Sequence, residues 1–122
     1  MNVLIVEDYD GLSQFYGFVL EHYGFHTRRV PSTEEALLAV RMERPDLILA
    51  DMGLPGASGL ALLRDLQAQP DLASIPVIAI TADDITWPRK EMLAAGFADY
   101  LLKPVYAPDL LQAVSKQLQE TG

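Results

Sequence analysis

The sequence contains no cysteine and only two histidines, His22 and His26. The first absence excludes a disulfide framework, a thiolate metal centre and a cysteine nucleophile. The second leaves too few imidazoles for most histidine-built metal sites. Positive charge is also scarce: 9 Lys and Arg face 17 Asp and Glu, a net charge of −8 at pH 7. A chain of that sign repels phosphate backbones and anionic lipid, so neither nucleic acid nor a membrane surface is an expected partner. No apolar run approaches the ~18 residues a spanning helix requires. The opening Met-Asn-Val-Leu-Ile-Val-Glu-Asp lacks the basic start and apolar length of a secretory signal, which sets a cytoplasmic expectation. Glycine and proline, 8 each in 122 residues, are too few for a disordered or collagen-like chain. With no repeat, low-complexity tract or linker-like stretch, one domain over residues 1–122 is expected.

Five short apolar segments are present: Val3–Val6, Phe25–Val30, Leu47–Ala50, Val77–Ile80 and Asp99–Leu102. Four are nearly continuous apolar runs, the pattern of strands buried on both faces. The second carries His26, Thr27, Arg28 and Arg29, which places it at a sheet edge. Helical spacing fills the intervals. Leu12, Phe15, Tyr16, Val19 and Leu20 recur at three and four, and Ser32-Thr33-Glu34-Glu35 is a capping box opening Ala36–Glu43. Ser58 can cap a helix carrying Leu60, Leu62, Leu63 and Leu66. Thr86 followed by Pro88 starts the next, with Gly96 at its end, and Pro108 opens the last, whose Leu110, Leu111, Val114 and Leu118 form a core stripe. Five β-α repeats with right-handed crossovers give a parallel, doubly wound sheet with helices on both faces.

Open sheets of this kind bind ligands beyond the carboxyl ends of their strands. There the first strand ends in Glu7-Asp8, the third in Asp51, the fourth in Thr81 and the fifth in Lys103-Pro104. Singly, such acids are ordinary turn formers or helix caps. Jointly they are not, because two unit charges about 5 Å apart repel by roughly 3 kcal/mol at an effective dielectric near 20. Three converging carboxylates therefore call for a cation. An all-oxygen donor set favours Mg²⁺, or Mn²⁺, over zinc, and Mg²⁺ is usually completed by phosphate oxygens. With the Lys103 ammonium and the Thr81 hydroxyl at the same edge, the set suits a phosphoryl group.

Val6-Glu7-Asp8, Asp46–Asp51, Leu54-Pro55-Gly56, Gly59, Thr81-Ala82 and Lys103-Pro104 resemble the receiver domain of two-component response regulators, along essentially the whole chain and in order. The resemblance implies a flavodoxin-like five-stranded parallel sheet of order 2-1-3-4-5 with five helices. It implies that Asp51 accepts a phosphoryl group from the phosphohistidine of a histidine kinase or histidine phosphotransfer protein. Asp8, Asp51 and the Gly53 backbone carbonyl would hold Mg²⁺, with Glu7 acting through water. Lys103 would pair with the carboxylate at rest and with phosphoryl oxygens afterwards. Thr81 would bond a phosphoryl oxygen, and Tyr100 is the matching switch aromatic, turned in once Thr81 has moved. The Lys103-Pro104 bond would be cis. A downstream protein would dock on the fourth helix, fifth strand and fifth helix, about residues 88–119, and the chain would be a monomer or weak homodimer.

Gly53 departs from the family's usual polar or bulky residue two past the acceptor, and Asp83 is acidic two past Thr81. Other functions on such a sheet fit less well. A haloacid-dehalogenase-type aspartyl-phosphate hydrolase needs a second Asp where Gly53 stands, so no turnover enzyme is expected. A flavin-binding phosphate loop would replace Glu7-Asp8-Tyr9-Asp10 with glycine and hydroxyl residues. A non-phosphorylated interaction module has no need of the full set of site residues. The histidines, Arg28 and Arg29 read as solvated surface, and Trp87 as either a partner contact or a packing staple.

Overall fold

The computed structural model describes residues 1–54 and 56–119, so Pro55 of the quoted Leu54-Pro55-Gly56 lies outside the described residues. Its elements run β1 (Asn2–Val6), α1 (Asp10–His22), β2 (His26–Val30), α2 (Thr33–Met42), β3 (Leu47–Asp51), α3 (Gly59–Gln67), β4 (Val77–Thr81), α4 (Arg89–Ala95), β5 (Asp99–Leu102) and α5 (Ala107–Gln119). All strand pairs are parallel, in the order β2-β1-β3-β4-β5. The expected doubly wound sheet with five helices is the observed one.

Strand alternation divides the core in two. Leu4, Val6, Ile48, Ala50, Val77 and Ala79 pack with α2, α3 and α4 through Ala36, Val40, Leu62, Leu66 and Met92. Val3, Ile5, Leu47, Leu49, Ile78 and Ile80 pack with α1 and α5 through Tyr16, Val19, Leu20, Leu110 and Val114. Burying each Leu or Ile contributes roughly 1.5–3 kcal/mol, so the central strands anchor everything attached to their ends. β2 is half-exposed, as an edge strand should be.

Local signals set the helix starts. Ser32 accepts from the Glu35 N–H at 3.2 Å, and the helix starts at Thr33, three residues before the expected Ala36. Ser58 accepts from the Ala61 N–H at 3.2 Å. Thr86 does not cap α4. Asp83 Oδ1 instead accepts from the Ile85 and Thr86 N–H groups at 3.1 and 2.9 Å, closing a turn before Pro88. Residues preceding a proline disfavour helical backbone, so α4 starts only at Arg89. Gly96 ends it at φ +122°, a conformation that L side chains rarely adopt. Arg28 is no free surface cation: its guanidinium donates to the carbonyls of Ala39 and Glu43, satisfying the end of α2. Arg29 pairs with Asp10 at 3.4 Å.

Candidate functional site

Alternation also aims the site residues. Glu7 follows Ile5 by two, Asp51 follows Leu49 and Lys103 follows Leu101, so all three side chains emerge on the α1/α5 side. The ladder continues just past the strands to hold them there. The Glu7 N–H donates to Val30 O at 3.1 Å, and the Lys103 N–H donates to Thr81 O at 2.7 Å.

Oxygens of Glu7, Asp8 and Asp51 all lie within 4.8 Å of one another. Glu7 and Asp51 are buried, whereas Asp8 stands at the exposed rim. Lys103 Nζ is 3.2 Å from Glu7 Oε1 and 3.4 Å from Asp51 Oδ2, a single ammonium shared by two acids. The first contact has ion-pair distance but not hydrogen-bond geometry, which leaves Glu7 Oε1 without a hydrogen-bond donor. Glu7 Oε2 accepts from the Tyr9 N–H at 3.2 Å, and Asp51 Oδ1 accepts from the Gly53 N–H at 3.1 Å. Burial, and next the adjoining Asp51 carboxylate, push the Glu7 carboxyl up from 4.5 to about 7. Without a metal the cluster therefore moderates its own repulsion by holding a proton on Glu7 near neutral pH.

Three close carboxylates with oxygen donors only, one of them carrying an unpartnered buried oxygen, fit a hard divalent cation. Gly53 is exposed beside Asp51, and a Cβ added there would meet only Asp51 Oδ1, at 3.9 Å. Gly59 is the opposite case. A Cβ on it would lie 2.8 Å from the Asp51 main-chain carbonyl and 3.0 Å from Met52 Sδ, so its bare backbone is what lets α3 start against the end of β3.

Thr81 and Tyr100 are each held by other partners. The Thr81 hydroxyl is occupied by its own loop, accepting from the Asp83 N–H at 2.9 Å and donating to Asp83 O at 3.3 Å. The Tyr100 ring is buried, its hydroxyl donating to Trp87 O at 2.6 Å. Arg89 lies 5.8 Å from the ring centroid and donates to Tyr100 O at 3.0 Å. Tyr100 is thus turned inward while Thr81 still holds Asp83. Trp87 packs partly buried against the core, as a staple does. The Lys103-Pro104 bond is cis.

An acid cluster of two buried members and one at the rim, with one shared lysine, set at the carboxyl edge of a 2-1-3-4-5 parallel sheet, is the arrangement of a signalling receiver, and the chain belongs to the response regulator receiver domain family, which matches residues 3–115. It is 34% identical over 117 residues to the polar-differentiation response regulator DivK of Brucella anthropi, covering 96% of this chain and 95% of that protein. It is equally identical to the phosphate regulon transcriptional regulatory protein PhoB of Rhizobium meliloti, but spans only about half of it (52%, against 96% of this chain). The receiver domain of a Pseudomonas aeruginosa sensor histidine kinase, solved with a magnesium ion coordinated in its active site cleft, superposes with a TM-score of 0.87 at 29% identity over 97% of each chain. Among the described residues, no helix is long and apolar enough to cross a membrane.

Proposed function

We propose that this receiver accepts a phosphoryl group on Asp51 from the phosphohistidine of a histidine kinase or histidine phosphotransfer protein, and passes the change to a protein partner. One observation carries the assignment: Asp51 is buried at the end of the central strand, within reach of two further acids and of the Lys103 ammonium. A carboxylate oxygen of Asp51 forms the new O–P bond as the N–P bond breaks, and the electron pair leaves with the imidazole nitrogen. Such transfer asks the protein mainly for position and charge compensation.

Asp8, Asp51 and the Gly53 carbonyl would hold Mg²⁺ or Mn²⁺, with Glu7 orienting a bound water. The ion, when bound, supplies positive charge against the phosphoryl oxygens. Lys103 exchanges its two carboxylate partners for a phosphoryl oxygen. Exposed Gly53 leaves the approach to Asp51 open.

Release from Asp83 frees the Thr81 hydroxyl to donate to a phosphoryl oxygen. The turn that Asp83 closes leads directly to Trp87, whose carbonyl receives the Tyr100 hydroxyl. Movement of residues 82–87 is therefore felt at β5 through one hydrogen bond. The surface beyond, α4-β5-α5, carries a groove of about 320 Å³ bordered by Arg89, Tyr100, Asp109 and Lys116, the proposed docking face for the downstream protein. Incubation with phosphoramidate or acetyl phosphate and Mg²⁺ tests the reading by adding one phosphoryl mass, and Asp51→Asn removes it. Multiple turnover of a phosphomonoester would instead favour a hydrolase.

A further inference from the structure

Tyr16 is a fully buried side chain in the middle of α1, and its hydroxyl has no hydrogen-bond partner. Only two buried side-chain polar atoms among the described residues are in that condition. The other is Glu7 Oε1. Both belong to the same side of the sheet: Tyr16 packs in the α1/α5 core with Ile5 and Leu49, and Glu7 and Asp51 each follow one of those residues by two along a strand. Burial, and then the charges of Glu7 and Asp51, raise the phenol well above its ordinary value. It thus remains a donor at any working pH.

An apolar residue would fill this helix position without the cost of leaving a buried hydroxyl unsatisfied. Among the described residues, Lys103, at 3.2 Å, is the one cation paired with Glu7 Oε1. When that ammonium turns to a phosphoryl group, the oxygen loses it. We propose that Tyr16 is a positioning residue of the phosphoryl site, its hydroxyl donating to Glu7 Oε1 once Lys103 has transferred and so holding Glu7 toward the metal. The inference rests on the receiver reading above.

The test compares wild type with Tyr16→Phe by thermal melting and by Trp87 fluorescence, titrating beryllofluoride in the presence of Mg²⁺. The metal-free Tyr16→Phe protein should melt at the same temperature or higher, because an orphaned hydroxyl is gone. Its apparent affinity for Mg²⁺ with beryllofluoride should fall roughly tenfold, the lower end of what losing an outer-shell partner costs a metal site. In a Glu7→Ala background the same substitution should change nothing further. Unaltered affinity in Tyr16→Phe, a lower metal-free melting temperature, or a loss that persists without Glu7 would each overturn the proposal while leaving the receiver reading intact. A wild-type protein with no Mg²⁺-dependent beryllofluoride response would overturn both.

Discussion

The Tyr100 hydroxyl donates to the main-chain carbonyl of Trp87 at 2.6 Å, tying the middle of β5 to the segment that precedes α4. Trp87 is the sole tryptophan of the chain, so its fluorescence reports on this junction alone. Tyr100→Phe keeps the ring and deletes the bond. Stability should drop by only about 1 kcal/mol, the net worth of a typical hydrogen bond. The fluorescence change of Trp87 on adding Mg²⁺ and beryllofluoride should shrink to less than half, while binding itself persists. A full-sized response would show that the hydrogen bond does not transmit the switch.

The raised Glu7 carboxyl makes metal-free stability depend on pH. The folded protein keeps a proton on Glu7 up to about pH 7, whereas the unfolded chain releases it near 4.5. Between those values the native state binds more protons, so this contribution declines as pH rises and is fully lost above about 7. Urea midpoints in EDTA should therefore fall from pH 5 to pH 7.5, and Glu7→Gln should flatten that slope. Mg²⁺ affinity should run the other way, increasing with pH over the same window as the proton departs.

Lys103 compensates two buried acids at 3.2 and 3.4 Å, and it competes with any metal for them. Lys103→Met should destabilise the metal-free protein by on the order of 1–3 kcal/mol at pH 8, and by less at pH 5, where Glu7 retains its proton. Mg²⁺ should bind at least as tightly as in wild type, because its rival cation has been removed. Phosphorylation should nonetheless slow strongly, since the ammonium no longer meets the phosphoryl oxygens. Calorimetric titration and mass spectrometry separate the two effects.

Two glycines near Asp51 should respond oppositely to alanine. At Gly59 the new methyl would meet the Asp51 carbonyl at 2.8 Å, so α3 or the end of β3 must shift, a cost of about 1–3 kcal/mol. At Gly53 nothing but Asp51 Oδ1, at 3.9 Å, is near. Gly53→Ala should fold with wild-type stability and alter only the access of water to Asp51. Paired urea unfolding curves decide this, and equal midpoints for the two variants would contradict it.

The sheet was legible because Val3–Val6, Leu47–Ala50 and Val77–Ile80 are apolar on both faces, a pattern that few alternatives to a central parallel strand satisfy. The convergence of Glu7, Asp8, Asp51 and Lys103 was legible because each ends or directly follows a strand, and strand order fixes where those ends meet. Other features depend on side-chain reach rather than on period. Thr86 and Pro88 mark the start of α4 in the sequence, yet Asp83 folds back onto the Thr86 N–H and closes a turn there, and the helix begins only at Arg89. Arg28 looked like solvated edge, but its guanidinium spans from β2 to the carbonyls closing α2. Tyr16 fell on the apolar stripe of α1, where helical spacing marks a ring as core and says nothing of where its hydroxyl ends.

Asp51 is the proposed phosphoryl acceptor, and intact-protein mass spectrometry tests that role most directly. After incubation with phosphoramidate and Mg²⁺, wild type should gain the mass of a single phosphoryl group, and should not do so in EDTA or with Asp51→Asn. Failure of the wild-type protein to form an Mg²⁺-dependent adduct, or an adduct of the same yield on Asp51→Asn, would contradict it.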